Sequence, residues 1–171
     1  VLTTDKPWEG HTCAYFSVIQ DGKKVLLYYR GSSGGSDHSD AQVTCVAEST
    51  DGIHFTRPTL GFIEAGGTKE NNVIWRGVES HNFSPFLDAN PKAKPGERYK
   101  ALGGVKQPGK NWHQGETPGG LYAFASADGI HWKKMKDTAV ITKGAFDSQN
   151  LAFFDTTRDR YVCFSRIFIN K

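Results

Sequence analysis

Three short stretches carry residue types from which acid–base chemistry is built. Glu9-Gly10-His11-Thr12, Glu79-Ser80-His81-Asn82 and Asp147-Ser148-Gln149-Asn150 each set a carboxylate, one spacer, a His or Gln, then Thr or Asn, ahead of a short apolar run. The acid recurs at steps of roughly 70 residues, the mark of a structural repeat of that size. If equivalent places of a radial repeat point toward one axis, Glu9, Glu79 and Asp147 share a polar funnel. Carboxylates so placed can act as nucleophile, proton donor or transition-state stabiliser for glycoside cleavage, and like charges brought together raise one pKa toward that of a donor. The alternative is that each acid anchors a turn.

The neighbours of these acids supply candidate ligands. His11 and His81 stand two residues after their acids, so on a strand each shares its acid's face and can orient the carboxylate or bind a sugar hydroxyl. Asn82, Gln149 and Asn150 are placed to do the same. Arg30 and Arg166 each close a strand, from where a guanidinium can pair with a funnel carboxylate. Trp8, beside the first acid, and Trp112, in a polar loop, offer flat faces for stacking a sugar. Asp147 and Glu79 are expected as the working pair, with Glu9 an accessory. No metal-ligand spacing is present, and no organic cofactor is expected.

The elements that must position these groups are short strands. Nineteen Gly and seven Pro break the apolar runs, and no long helical period is visible, so the chain reads as all-β. Thr12–Ile19 and Val25–Tyr29 flank an Asp21-Gly22 hairpin turn. Ala41–Ala47 alternates as a third strand, and Asp51-Gly52 turns the chain into a fourth at Ile53–Thr56, leaving Asn72–Trp75 as a short apolar stop. The same order returns as Phe83–Leu87, Tyr99–Leu102, Leu121–Ala125 and Ile130–Lys133, and its first half returns again as Asn150–Phe154 and Tyr161–Ser165. The hairpin motif Ser49-Thr50-Asp51-Gly52-Ile53-His54-Phe55 recurs as Ser126-Ala127-Asp128-Gly129-Ile130-His131-Trp132, where its Ser, Asp and His read as turn-forming. Repeated four-stranded meanders of this kind describe a β-propeller, the alternative being a β-sandwich. Pro85 favours the propeller, because it lacks a ladder donor and belongs on an edge strand such as the innermost strand of a blade.

Composition excludes other classes. The net charge of +3 is spread without a basic stripe, so nucleic acid is not an expected partner. No apolar run is long enough to cross a membrane, and no signal peptide is present. Cys13, Cys45 and Cys163 read as free thiols in strands, with a disulfide between two of them as the alternative. The chain opens on Val1 and stops at Phe168-Ile169-Asn170-Lys171, which reads as the middle of an element, so a piece of a longer protein is expected.

The acidic blade starts and the Ser-x-Asp-Gly-Ile-His-aromatic hairpins together resemble the five-bladed β-propeller glycoside hydrolases grouped around families 32 and 43. The run Gly144–Asp155 is similar to uncharacterised bacterial members near that group, common in planctomycetes. The resemblance covers essentially the whole chain and implies about two and a half of five blades, at 6–65, 77–142 and 145–171. It implies a glycosidase acting on oligo- or polysaccharide, with the full-length protein periplasmic or secreted. In that group an Asp nucleophile or base, an Asp stabiliser and a Glu acid come from successive inner strands. Glu9, Glu79 and Asp147 match by place in the blade and depart in residue type, and the invertase Asn-Asp-Pro-Asn, Arg-Asp-Pro and Glu-Cys stretches are absent. A non-catalytic carbohydrate-binding propeller is the alternative function.

Overall fold

A computed structural model describes residues 2–10, 13–33, 41–105 and 119–167. Within these the protein is all-β, built as antiparallel meanders. The first sheet runs β1 (Ala14–Asp21), β2 (Lys24–Ser32), β3 (Gln42–Ser49) and β4 (Val73–Arg76). The second runs β5 (Ser84–Leu87), β6 (Tyr99–Gly103), β7 (Tyr122–Ser126) and β8 (Lys133–Lys134), and the third pairs β9 (Leu151–Asp155) with β10 (Arg160–Phe164). The first strands lie side by side, β1 against β5 and β5 against β9. Pro85 sits on β5, an edge strand, as its missing donor requires.

Local chemistry forms the hairpins. Asp21 pairs with Lys24 around a two-residue turn whose Gly22 takes φ +62°, a left-handed conformation that glycine adopts without a Cβ clash.

The outer strand differs from the sequence expectation. Of Ile53–Thr56 only Thr56 bridges to β3, at Glu48, and the chain then leaves the sheet and returns as β4, which pairs with Val43–Cys45. The apolar stretch Asn72–Trp75 is therefore most of a strand and not a stop. Its register is set by packing, since Val73 and Ile74 are buried and Trp75 meets Phe124 edge-on at 5.0 Å. The second sheet splits its outer strand likewise, with Lys133–Lys134 beside Phe124–Ala125 and Ile141 beside Leu121.

The sheets stack face to face. Ile19, Leu26, Tyr28, Val46 and Ile74 of the first sheet meet Phe83, Tyr99, Phe124 and Trp132 around the second in the largest core. Leu102, Leu121 and Phe146 begin the next core, against Ala152 and Cys163 of the third sheet. The other face of the first sheet is covered by Trp8 and Ala65. Cys13, Cys45 and Cys163 are free thiols. Among the described residues no helix is long and apolar enough to cross a membrane.

Candidate functional site

Each repeated acid lies in the turn that leads into the first strand of a sheet. In the first repeat this turn passes directly over β2: a Cβ on Gly31 would stand 2.5 Å from the Trp8 carbonyl oxygen, and Ser32 N–H donates to Glu9 O at 3.0 Å. Glu9 is fully buried, and both of its oxygens are occupied. Oε1 accepts from Tyr29 Oη at 2.6 Å and Arg57 Nε at 2.7 Å, and Oε2 from Arg57 Nη2 and Lys6 N at 2.9 Å each. Trp8, expected as a sugar-stacking face, is in the core instead, its indole N–H donating to Asn72 Oδ1 at 2.8 Å.

The second acid repeats this arrangement. A 3-10 turn, Val78–His81, crosses β6 at Gly103, where an added Cβ would meet Glu79 O at 2.7 Å. Glu79 Oε1 pairs with Lys134 Nζ at 2.5 Å and Oε2 accepts from Trp75 Nε1 at 3.2 Å. Arg57 and Lys134 hold the same offset after the hairpin aspartates Asp51 and Asp128. The repeat therefore ties an acid at the start of each sheet to a cation at that sheet's outer edge. Asp147 pairs with Arg166, as the placing of that arginine suggested. Each of the three acids is paired with its own cation. They differ in access: the side chains of Glu9, Glu79 and Asp147 are 0%, 5% and 28% exposed.

A second polar constellation joins all three sheets at this end. At Tyr15 a bulge interrupts the β1–β2 register and the residue takes φ +55°, a strained conformation for a bulky side chain. It aims the Tyr15 hydroxyl at Asp147 O, 2.9 Å away, and sets its ring beneath the Arg30 guanidinium at 4.9 Å and edge-on to His81 at 5.4 Å. Arg30 Nη1 lies 3.0 Å from His81 Nδ1, and Gln42 Oε1 also lies 3.0 Å from that nitrogen. Arginine can only donate and an amide oxygen can only accept, so the two contacts ask opposite roles of Nδ1. His81 thus joins the constellation, whereas His11 lies outside the described residues.

Asn82 and Asn150, expected as sugar ligands, are fully buried and grip one corner of backbone. Both side-chain amides donate to the carbonyls of Phe146 and Ser148, and Asn82 Oδ1 accepts from Gly104 N at 2.8 Å. Gln149 reaches the bulge, donating to Phe16 O at 3.2 Å and Ser17 Oγ at 3.0 Å. These amides hold Asp147 in place. Tyr15, Gln42, Arg57 and Lys134 were not read as site residues from sequence. The equal offset of the two cations was the one available signal.

The hairpin motifs are structural. Ser49 Oγ and the Asp51 carboxylate collect the N–H groups of the Asp51–His54 turn, His54 Nδ1 lies 2.7 Å from Asp51 Oδ2, and Ser126, Asp128 and His131 reproduce every contact. The hydrogen bond to His54, then those from its turn, hold the Asp51 carboxyl well below the usual range. At Asp128 burial acts the other way and the bonds from His131, Ile130 and Ser126 prevail, with the same outcome. No group of His, Cys, Asp and Glu suited to a metal ion occurs among the described residues.

No family model and no curated protein matches the chain. Among solved structures it is similar to one of BT0996 described as an RGII complex, at 14% identity and TM-score 0.52, covering 91% of this chain and 47% of that one. A structure described as a glycoside hydrolase aligns at 15% identity and TM-score 0.50, over 92% and 47%. A glycosyl hydrolase of Bacteroides ovatus follows at 14% and 0.46, over 85% and 39%. The first two show a shared fold. The chain spans less than half the length of each.

Proposed function

We propose that the chain forms part of a five-bladed β-propeller of the family 32 and 43 type that cleaves oligo- or polysaccharide, its three sheets being the blades 6–65, 77–142 and 145–171. The stacked meanders with adjacent first strands support the propeller, and the fold shared with a structure described as a glycoside hydrolase supports the hydrolase reading. One observation carries the choice of site: Asp147 is the most accessible of the repeated acids, and it is held among Arg166, Tyr15 and the constellation of His81 and Arg30. In this reading Asp147 acts on the sugar, buried His81 and Arg30 support the site from behind, and Asn82, Gln149 and Asn150 fix the backbone beneath. Glu79 takes the partner role, on release from Lys134. Glu9, an accessory, secures the first blade.

A non-catalytic carbohydrate-binding propeller is favoured by a different observation: Glu9 and Glu79 are sealed in ion pairs, whereas hydrolysis uses two working carboxyl groups. The RGII complex of the fold neighbour agrees with either reading. The test is to express the full-length protein, screen it against aryl glycosides and polysaccharides, and measure sugar binding by calorimetry. Turnover abolished by Asp147→Asn supports hydrolysis. Binding without turnover, lost in the same variant, supports the second reading, and absence of both rejects the site.

A further inference from the structure

The chain contains three Asp-Gly steps, Asp21-Gly22, Asp51-Gly52 and Asp128-Gly129. Asp-Gly is prone to internal cyclisation, because glycine has no Cβ to keep its amide nitrogen away from the aspartyl Cγ. Two of the three steps are closed to this reaction by their own turns. Gly52 N–H donates to Ser49 Oγ at 3.0 Å, and Gly129 N–H to Ser126 Oγ at 2.9 Å. The carboxylates are pinned as well. Asp51 Oδ1 accepts from Ile53 N and His54 N at 2.8 Å each, with His54 Nδ1 2.7 Å from Oδ2, and Asp128 repeats the pattern. Asp21-Gly22 is built differently. Gly22 is exposed, and its N–H donates to no group among the described residues. The Asp21 carboxylate is held only from the next sheet, by Tyr99 Oη at 2.6 Å and by Arg98. A local parting of the first two sheets therefore frees both reacting groups, whereas the motif turns must themselves unfold.

We propose that Asp21 is a modification site, at which the folded chain forms isoaspartate ahead of its other Asp-Gly steps. The Gly22 nitrogen attacks Cγ of the protonated Asp21 carboxyl. The N–Cγ bond forms as the Cγ–OH bond breaks, and the amide proton leaves with the hydroxyl as water, giving a cyclic imide. Water then opens the imide at one of its two carbonyls. Opening at Cγ restores aspartate, and opening at the Asp21 main-chain carbonyl leaves isoaspartate. Water is the sole co-reactant, and nothing is oxidised or reduced. In isoaspartate the main chain runs through Cβ and Cγ, one methylene longer, and the carboxylate sits on Cα. It no longer reaches Tyr99 and Arg98, so the modification removes the contacts that had restrained it.

The experiment ages the full-length protein in mildly acidic buffer below its melting temperature, beside a sample unfolded in urea. Isoaspartate is placed by mass spectrometry of the digested chain and counted by methyl transfer from S-adenosylmethionine with an isoaspartyl methyltransferase. In the folded protein it is expected at Asp21 first, whereas in urea the three steps react alike. Tyr99→Phe removes one of the two ties and should speed the reaction at Asp21 by about fivefold, equivalent to ~1 kcal/mol, without changing Asp51 or Asp128. Ser126→Ala should speed it at Asp128 alone. Isoaspartate that appears at Asp51 or Asp128 as fast as at Asp21 in the folded parent overturns the proposal. So does its absence from Asp21 in the folded protein while the unfolded sample accumulates it, and so does an unchanged Asp21 rate in Tyr99→Phe.

Discussion

The hydroxyl of Tyr99, at the start of β6, donates to Asp21 Oδ2 at 2.6 Å across the gap between the first two sheets. Tyr161, near the start of β10, donates to Asp88 Oδ2 at 2.8 Å across the next gap. Asp21 ends β1 and Asp88 directly follows β5, the first strands of their sheets, while Tyr99 opens β6 and Tyr161 is the second residue of β10, the second strands of the following sheets. A basic partner backs both, Arg98 at Asp21 and Lys100 at Asp88. The sheets are thus latched at the hairpin end as well as packed through their cores.

Tyr99→Phe is expected to lower stability by about 1 kcal/mol, one hydrogen bond, in urea denaturation at neutral pH. Burial first, and then the bond to Asp21, pushes the Tyr99 hydroxyl up to about 12. A raised folded-state pKa means stability that is present below the unfolded value of about 10 and lost as pH rises toward 12. The variant should therefore show a shallower alkaline loss over that window. Equal stability of variant and parent at pH 7 would show that the latch contributes nothing.

The acid–cation ties make a second prediction. Arg57→Ala strips a fully buried Glu9 of its counter-charge and should cost roughly 3–5 kcal/mol. Lys134→Ala should cost less, roughly 1–3 kcal/mol, because Glu79 keeps the Trp75 indole as a donor and Lys134 is partly solvated. Denaturant midpoints decide the order, and a reversed order would contradict the assignment of Glu9 as the deeper anchor.

What could be read from the sequence was what local chemistry decides. The Asp51 and Asp128 turns close on their own side chains within a few residues, so their motif stood out in one dimension. Pro85 named its own edge. The return of β4 to the sheet was hidden because its register depends on Trp75 packing against Phe124, a residue of another sheet. The bulge at Tyr15 has no local signature, since tyrosine is an unfavourable residue at positive φ and is held there by Arg30, His81 and Asp147. Asn82 and Asn150 have the chemistry of sugar ligands, and only the fold reveals that two backbone carbonyls occupy their amides.

The hairpin aspartates predict acid behaviour. Both carboxyl groups are held low by hydrogen bonds, so their contribution is present above the unfolded carboxyl value near 3.9 and is lost as pH falls through the lower folded values. Thermal melts of Asp128→Asn from pH 5 down to about 2 should show a flatter acid limb than the parent. A parallel decline in both proteins would place the acid sensitivity elsewhere.

Tyr15 offers the sharpest separation of site from scaffold. Its ring supports Arg30 and His81, whereas its hydroxyl holds the backbone of Asp147, so the two roles can be removed one at a time. Tyr15→Phe keeps the ring and deletes one half-buried hydrogen bond, which should lower stability by about 1 kcal/mol or less. Tyr15→Ala removes the ring as well and should lower it by roughly 1–3 kcal/mol through lost packing and the lost cation–π contact. If Asp147 acts on sugar, release of its backbone tie misplaces the carboxylate, and small misplacements in an active site are costly. In the full-length protein, Tyr15→Phe should therefore reduce kcat or sugar affinity by about tenfold, equivalent to ~1.4 kcal/mol, with a melting temperature lowered by no more than about 4 °C. Asp147→Asn should abolish the same signal. Full function in Tyr15→Phe beside a dead Asp147→Asn would mean that Asn82, Asn150 and Gln149 position the carboxylate without help from the bulge.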